Sequence, residues 1–294
     1  MPTRHPTDGQ RQRYCRLPPA PSADQLARHF HLDRGDLEIV DSLRGGHNRL
    51  GFALMLGSVR FLGVFPDAAT DIPDLVTVFL IKQLGLKPDT DCKRYFDRGG
   101  QRIRHLALIR ERYGFSEFAA NGAARFRLTR WLYALCWSGD DHPGFLIERA
   151  ASWLIVNMVL LPGVTVLERF VGRIRDRAQK RLWQRLVAAL DDKQRERITK
   201  LFDETSENSF AALGALRTVP TQRSPGEFLL HLDRLDAIRA FDLRPSPPKN
   251  VPAANLERLA RVARAGKPSA IAALHEPHRN RGGAVPYAGD RRAR

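Results

Sequence analysis

The sequence predicts an all-α fold, and three observations carry that expectation. Apolar residues recur at three- and four-residue steps in one segment after another, helix N-cap signatures punctuate the chain, and no convincing alternating strand pattern is present. The 294 residues suffice for one or two domains with a substantial core.

Ser22 and Gln25 fit a capping box opening a helix over residues 23–30, and Asp33 caps a second helix running to about 41. A third helix follows Arg44 and ends near Pro66. From Asn48 onward, Phe52, Leu54, Met55, Val59 and Leu62 recur mostly at helical steps, which predicts one packed face. The three helices make a compact unit of helix-turn-helix type, although many unrelated small bundles share the spacing. Further helices are predicted over 73–84, 89–96, 101–113 and 116–137. Within 101–113, Ile103, Leu106 and Ile109 form an apolar stripe, while Arg102, Arg104, His105, Arg110 and Arg112 lie mostly off it. A buried strand over 103–109 is the alternative. Trp131, Leu132, Leu135 and Trp137 are expected in the core rather than stacking on bases.

Asp140-Asp141-His142-Pro143-Gly144 reads as a loop and as the boundary between two halves. The helix over 145–161 follows; its most apolar run stops at Pro162, short of the ~20 residues a membrane span requires, and reads as a buried core helix. After the Pro162-Gly163 turn, Thr165 and Glu168 match a capping box opening a long helix over 166–190. Its buried stripe is Leu167, Phe170, Ile174, Ala178, Leu182 and Leu186. Residues 191–202 continue as a helix, a polar stretch over 203–209 leads to a short one ending before Pro220, and Ser224, Pro225 and Glu227 open another over 225–241. Pro245, Pro247 and Pro248 mark a linker before an amphipathic helix over 253–265. After about Ala273 the chain is rich in Arg, Gly and Pro without an apolar period, so it is expected to be disordered. The expected organisation is an N-terminal arm (1–17), two helical modules (18–139 and 140–243), a linker with the start of a further helical region (244–274), and an Arg-rich tail (275–294).

With 48 Lys plus Arg against 32 Asp plus Glu, the formal net charge is +16, which points to a polyanion as partner. Arginine outnumbers lysine 40 to 8, a bias to which the base composition of the coding DNA also contributes. Two places concentrate donors. On the long helix Arg169, Arg173, Arg175, Arg177, Lys180, Arg181 and Arg185 face only Glu168 and Asp176, a repulsion that a neighbouring phosphate backbone, or simple solvation, relieves. At the head of the third helix, Arg44, His47, Asn48 and Arg49, with Arg60 further along, supply hydrogen-bond donors beside unpaired backbone amides. The candidate DNA-binding residues are therefore Arg44, His47, Asn48, Arg49, Arg60, Arg169, Arg173, Arg177, Lys180 and Arg181. Asn48 capping its own helix is the competing reading. Cys15, Cys92 and Cys136 are scattered, and His29 with His31 has no second ligand pair at metal-binding spacing, so neither a zinc site nor a disulfide framework is expected. No Gly-rich phosphate loop follows a strand and no GxSxG occurs. Residues 1–21 have no apolar signal region, so the chain reads as cytoplasmic.

Four runs in this order resemble the N-terminal region of the transposases of replicative, Tn-three-type transposons: Arg-x-x-x-Asn-Arg-Leu-Gly-Phe-Ala (44–53), Arg-Phe-Leu-Gly-Val-Phe-Pro (60–66), Leu-Leu-Pro-Gly-x-x-x-Leu-Glu-Arg (160–169) and Asn-Leu-Glu-Arg-Leu-Ala-Arg (255–261). The resemblance covers residues 17–274. It implies a helical region with helix-turn-helix-like modules that recognises the inverted repeats at transposon ends, while catalysis resides in a separate RNase H-like domain whose three carboxylates hold two metals. On that resemblance the chain is expected to be a truncated or frameshifted transposase, without enzymatic activity or cofactor. Its expected partners are double-stranded DNA at transposon ends and the full-length transposase, with no membrane and no small-molecule substrate. Competitive regulation of transposition, a non-functional remnant, and a basic RNA-binding or structural helical protein are the alternatives.

Overall fold

The computed structural model describes Tyr14 and residues 16–97, 99–139, 143–194, 196, 224–240 and 251–265. The architecture is all-α, as the periodicity predicts: α1 (Ala23–His29), α2 (Arg34–Ser42), α3 (Gly46–Leu62), α4 (Asp74–Gln83), α5 (Lys93–Asp97), α6 (Gly99–Tyr113), α7 (Gly122–Ser138), α8 (Pro143–Val156), α9 (Val164–Ala188), α10 (Pro225–Ala240) and α11 (Ala253–Ala265). Among the described residues the strands are β1 (Ser116–Glu117) and β2 (Val159–Leu160), paired in parallel with Ser116 beside Val159 and Glu117 beside Leu160. The chain divides into two compact units, Met1–Leu132 with Asp141–Ile174, and Tyr133–Asp140 with Arg175–Arg294; the partition falls within α7 and α9. No described helix is long and apolar enough to cross a membrane.

In the first unit the chain is punctuated by side chains that close helix ends. The Ser22 hydroxyl accepts from the Gln25 amide while the Gln25 side chain accepts from the Ser22 amide, and Asp33 and Asp36 repeat the exchange at α2. These reciprocal bonds fix the entry of two short helices that α3 then holds in place.

α3 is the centre of the unit. Every residue from Leu50 to Val59 is buried, and α1, α2, α4, α5, α6 and α8 pack around it. The expected one-sided packing is thereby corrected: a helix this apolar all round belongs in a core. Gly51 and Gly57 permit it, because a Cβ at either position would run into the ring of Tyr95 or Phe30. Spacing alone reads such glycines as gaps in a stripe, whereas here they are where neighbouring aromatic rings sit. At the far end Gly63 adopts φ 71° and terminates the helix.

Several predicted elements shift for local reasons. Residues 101–113 form a helix and not the alternative strand, but Ile103 is 69% exposed while His105 is buried. The His105 imidazole stacks on the Tyr95 ring at 5.5 Å, with Nδ1 3.2 Å from the Tyr95 hydroxyl and Phe52 edge-on at 5.5 Å. α7 starts at Gly122 rather than at 116, because β1 precedes it and the Asn121 carboxamide caps it by accepting from the Ala124 amide at 2.8 Å. α8 stops at Val156: Asn157 still donates to the Trp153 carbonyl from its backbone N–H and its side chain, but Met158 turns to φ 54° and leads the chain out of the helix. Val159 and Leu160, expected to continue the helix, are buried in the strand pair. α9 begins at Val164, the Gly163 carbonyl accepting from the amides of Val166 and Leu167, so Thr165 lies inside its first turn and not at the predicted cap.

In the second unit Leu182, Trp183 and Leu186 of α9 pack with Leu259 of α11, and Trp137, Val251 and Leu256 cover them. The buried Asn255 donates to the Trp137 carbonyl at 2.6 Å. Ser224 caps α10 through the Glu227 amide, as predicted, and Asp191 and Gln194 exchange backbone and side-chain bonds. Residues 195 and 197–202 of the helix predicted over 191–202, the segment 203–223, the linker prolines and the tail lie outside the described residues, as do Asp140, Asp141 and His142.

Candidate nucleic-acid interface

α9 segregates its side chains cleanly. Leu167, Phe170, Ile174, Ala178, Leu182 and Leu186 are buried as the spacing predicts, joined by Val171 and Trp183. On the opposite side Arg169, Arg173, Arg177, Lys180 and Arg181 are all exposed, while Arg175 and Arg185 are half-buried. Steps of four residues put Arg169, Arg173, Arg177 and Arg181 in one row about 18 Å long at 1.5 Å per residue. The acids of this helix are Glu168, half-buried, and Asp176, exposed. Such a row presents closely spaced positive charge along one helix.

The head of α3 is arranged differently. Gly45, at φ 88°, turns the chain from α2 into the helix, and its carbonyl accepts from the amides of Asn48 and Arg49. Arg44 stands exposed just before this turn, and His47 is half-buried in the first helical turn. The Asn48 carboxamide nitrogen donates to the Arg44 carbonyl at 2.7 Å, so this side chain braces the turn. Arg49 reaches backward: Nε donates to the Leu43 carbonyl and Nη2 to that of Asp41, each at 3.0 Å, while Nη1 pairs with the Asp41 carboxylate at 3.5 Å. Asn48 and Arg49 thus hold the segment from which Arg44 projects.

Arg60 is placed elsewhere altogether. Its Nη1 and Nη2 donate to the two carboxylate oxygens of Asp36 at 2.7 and 2.9 Å, and its guanidinium sits 5.1 Å from the Tyr113 ring centroid. Asp36 is only 1% exposed and also accepts from the Tyr113 hydroxyl at 2.7 Å. Burial pushes the Asp36 carboxyl up, but hydrogen bonds from Arg60 and Tyr113, with the guanidinium charge, outweigh it and hold the group below its usual range. The same burial, together with the Asp36 charge, pushes the Tyr113 hydroxyl up. This triad ties α2, α3 and α6 together.

The HxH pair does not converge: the His29 ring meets Phe61 edge-on at 4.7 Å, and His31 Nδ1 lies 2.8 Å from the Gln83 carboxamide. Among the described residues no cluster of three His, Cys, Asp or Glu side chains has metal-binding geometry. A feature absent from the expected set is an exposed basic run on α7, where Arg125, Arg127 and Arg130 surround an exposed Phe126. The surplus of seven cations over two acids marks α9 in the sequence, whereas the α7 run reads from sequence as part of a helix with core aromatics.

Two of the quoted sequence runs meet in space. The Leu161 amide donates to the Gly63 carbonyl at 2.8 Å, joining the runs at 60–66 and 160–169, and the Tyr14 hydroxyl donates to the Pro162 carbonyl at 3.0 Å. Residues 7–174 match the family described as a domain of unknown function (DUF4158). The transposase for transposon gamma-delta of Escherichia coli (strain K12) is 37% identical over 263 residues, which is 90% of this chain and 26% of that protein. The transposase for transposon Tn1546 of Enterococcus faecium is 31% identical over 278 residues, 93% of this chain and 27% of that protein. The transposase for transposon Tn501 of Pseudomonas aeruginosa is 28% identical over 247 residues, 83% of this chain and 24% of that protein. The chain spans about a quarter of the length of these curated relatives. It therefore belongs to the DUF4158 family and is, along most of its length, a homologue of part of the replicative-transposon transposases that its sequence runs resemble.

Proposed function

We propose that this chain is a DNA-binding portion of a transposase and that it engages the terminal inverted repeats of a transposon as duplex DNA. The observation that carries the reading is the exposed row Arg169, Arg173, Arg177 and Arg181, with Lys180 beside it, opposite a continuous buried stripe. Over the ~18 Å of this row a DNA duplex presents about ten phosphate charges, at one per 1.7 Å. These side chains set affinity and register through phosphates. Arg44 and His47, presented by the braced turn ahead of α3, approach base edges or the adjacent backbone, and Asn48 and Arg49 contribute chiefly by holding that turn. Arg60 acts through Asp36 rather than through DNA.

The test is fluorescence anisotropy with a labelled terminal-repeat duplex and a scrambled duplex at two salt concentrations. Tighter binding to the repeat that persists at the higher salt is the expected result. Equal affinity for both duplexes would refute end recognition, and no binding to either would refute the DNA reading as a whole.

A further inference from the structure

α7 carries Arg125, Phe126, Arg127 and Arg130 in its first turns and contains no Asp or Glu anywhere from Gly122 to Ser138. Its inward face is Ala124, Leu128 and Leu132, all fully buried. Phe126 falls midway between Ala124 and Leu128, and two residues along a helix turn a side chain through roughly 200°, so it points away from the core. It is 63% exposed. Arg127 and Arg130 are exposed on either side of it, and Arg125 next to it donates to the Ala119 carbonyl at 3.3 Å.

Other phenylalanines of this unit carry an arginine over the ring: Arg110 over Phe65, Arg102 over Phe96, Arg125 over Phe118 and Arg149 over Phe145. Among the described residues Phe126 has no such partner, although three arginines lie within a turn of it. An apolar ring of this size left bare in a ring of cations suits a ligand that is itself flat and negatively charged at its edges. A nucleotide has both properties. In a duplex the base faces are stacked on one another, so a ring can pair with a base only where the base is unpaired or terminal.

We propose that this face of α7 binds an unpaired base of single-stranded DNA adjoining a duplex, with Phe126 stacking on the base and Arg125, Arg127 and Arg130 contacting its flanking phosphates. The proposal rests on the DNA-binding reading above and adds to it a preference for one kind of DNA end.

The experiment compares the full chain on a blunt labelled duplex and on the same duplex extended by a short single-stranded thymine overhang. The overhang is expected to strengthen binding about tenfold, within the range of a base-aromatic stack. Phe126→Ala is expected to abolish that gain while leaving blunt-duplex affinity and the melting temperature unchanged, and Phe126→Tyr to retain the gain. Equal binding of both DNAs by the unmodified chain, or a gain that survives Phe126→Ala, overturns the proposal. The DNA-binding reading is judged separately on the blunt duplex: if that duplex binds and Arg173→Ala/Arg177→Ala/Arg181→Ala weakens it, the failure belongs to the α7 face alone.

Discussion

Replacing Asp36 with Asn leaves the Arg60 guanidinium facing a neutral amide in a site that held both of its terminal nitrogens at 2.7 and 2.9 Å. Removing one partner of a buried ion pair typically costs about 3 to 5 kcal/mol. Arg60 retains 25% side-chain exposure, so water takes up part of its charge and the lower end, about 3 kcal/mol, applies. For a unit of this size the melting temperature falls by roughly 9 °C, followed by circular dichroism at 222 nm. The double variant Asp36→Leu/Arg60→Met is expected to recover much of the loss, because neither charge then remains buried without its partner. A double-mutant cycle built from Asp36→Leu, Arg60→Met and the pair should give a coupling of at least about 1 kcal/mol. Independent effects, with coupling under about 0.5 kcal/mol, would mean that the triad is not what joins α2, α3 and α6. The same pair has a pH signature. A carboxyl held below its unfolded pKa contributes fully above that value, and its contribution is lost as pH falls through the folded pKa. Because Asp36 is shifted down from 3.8, the unmodified chain should lose stability below pH 4 more steeply than Asp36→Asn does.

The combined variant Arg173→Ala/Arg177→Ala/Arg181→Ala should weaken binding to all duplexes alike and flatten the logarithmic salt dependence by about 3 units; an unchanged slope would remove α9 from the interface. Arg60→Met should lower the melting temperature yet leave that slope where it was, and a reduced slope for the folded variant would restore Arg60 as a phosphate contact. Gly51→Ala forces a methyl group into the Tyr95 ring and should destabilise by about 1 to 3 kcal/mol in urea titration, a neutral result contradicting the close approach. Burial pushes the His105 imidazole below its usual 6.5, so the unfolded state takes up more protons as pH falls through that value, and stability should decline from pH 7.5 to 5.5; His105→Gln should show less of this decline.

Local chemistry made much of the fold legible. Ser22 with Gln25, Asp33 and Ser224 announce their helices because a cap needs only a few neighbouring residues, and the buried stripe of α9 follows from period alone. What sequence reading missed depends on partners far along the chain. His105 is inside, and Ile103 outside, because Tyr95 supplies a ring for the imidazole. α3 is covered on every side because Phe30 and Tyr95 lie against its glycines. The candidate site was legible in part for the same reason: the charge row of α9 is a property of one helix, whereas the partner of Arg60 comes from α2, and the openness of Phe126 is visible only once Ala124 and Leu128 are seen to face the core.

The bond from Leu161 to Gly63 has a consequence for synthesis. Helices α1 to α6 contact one another locally and can form as the chain leaves the ribosome, since short-range contacts close quickly. The terminus of α3, however, waits for a segment made much later, and until Leu161 emerges the Gly63 carbonyl has only solvent to bond and the α3 end lacks its cover. The first unit is therefore completed only after residue 161 has emerged, and a nascent chain halted before it carries its central helix incompletely sealed.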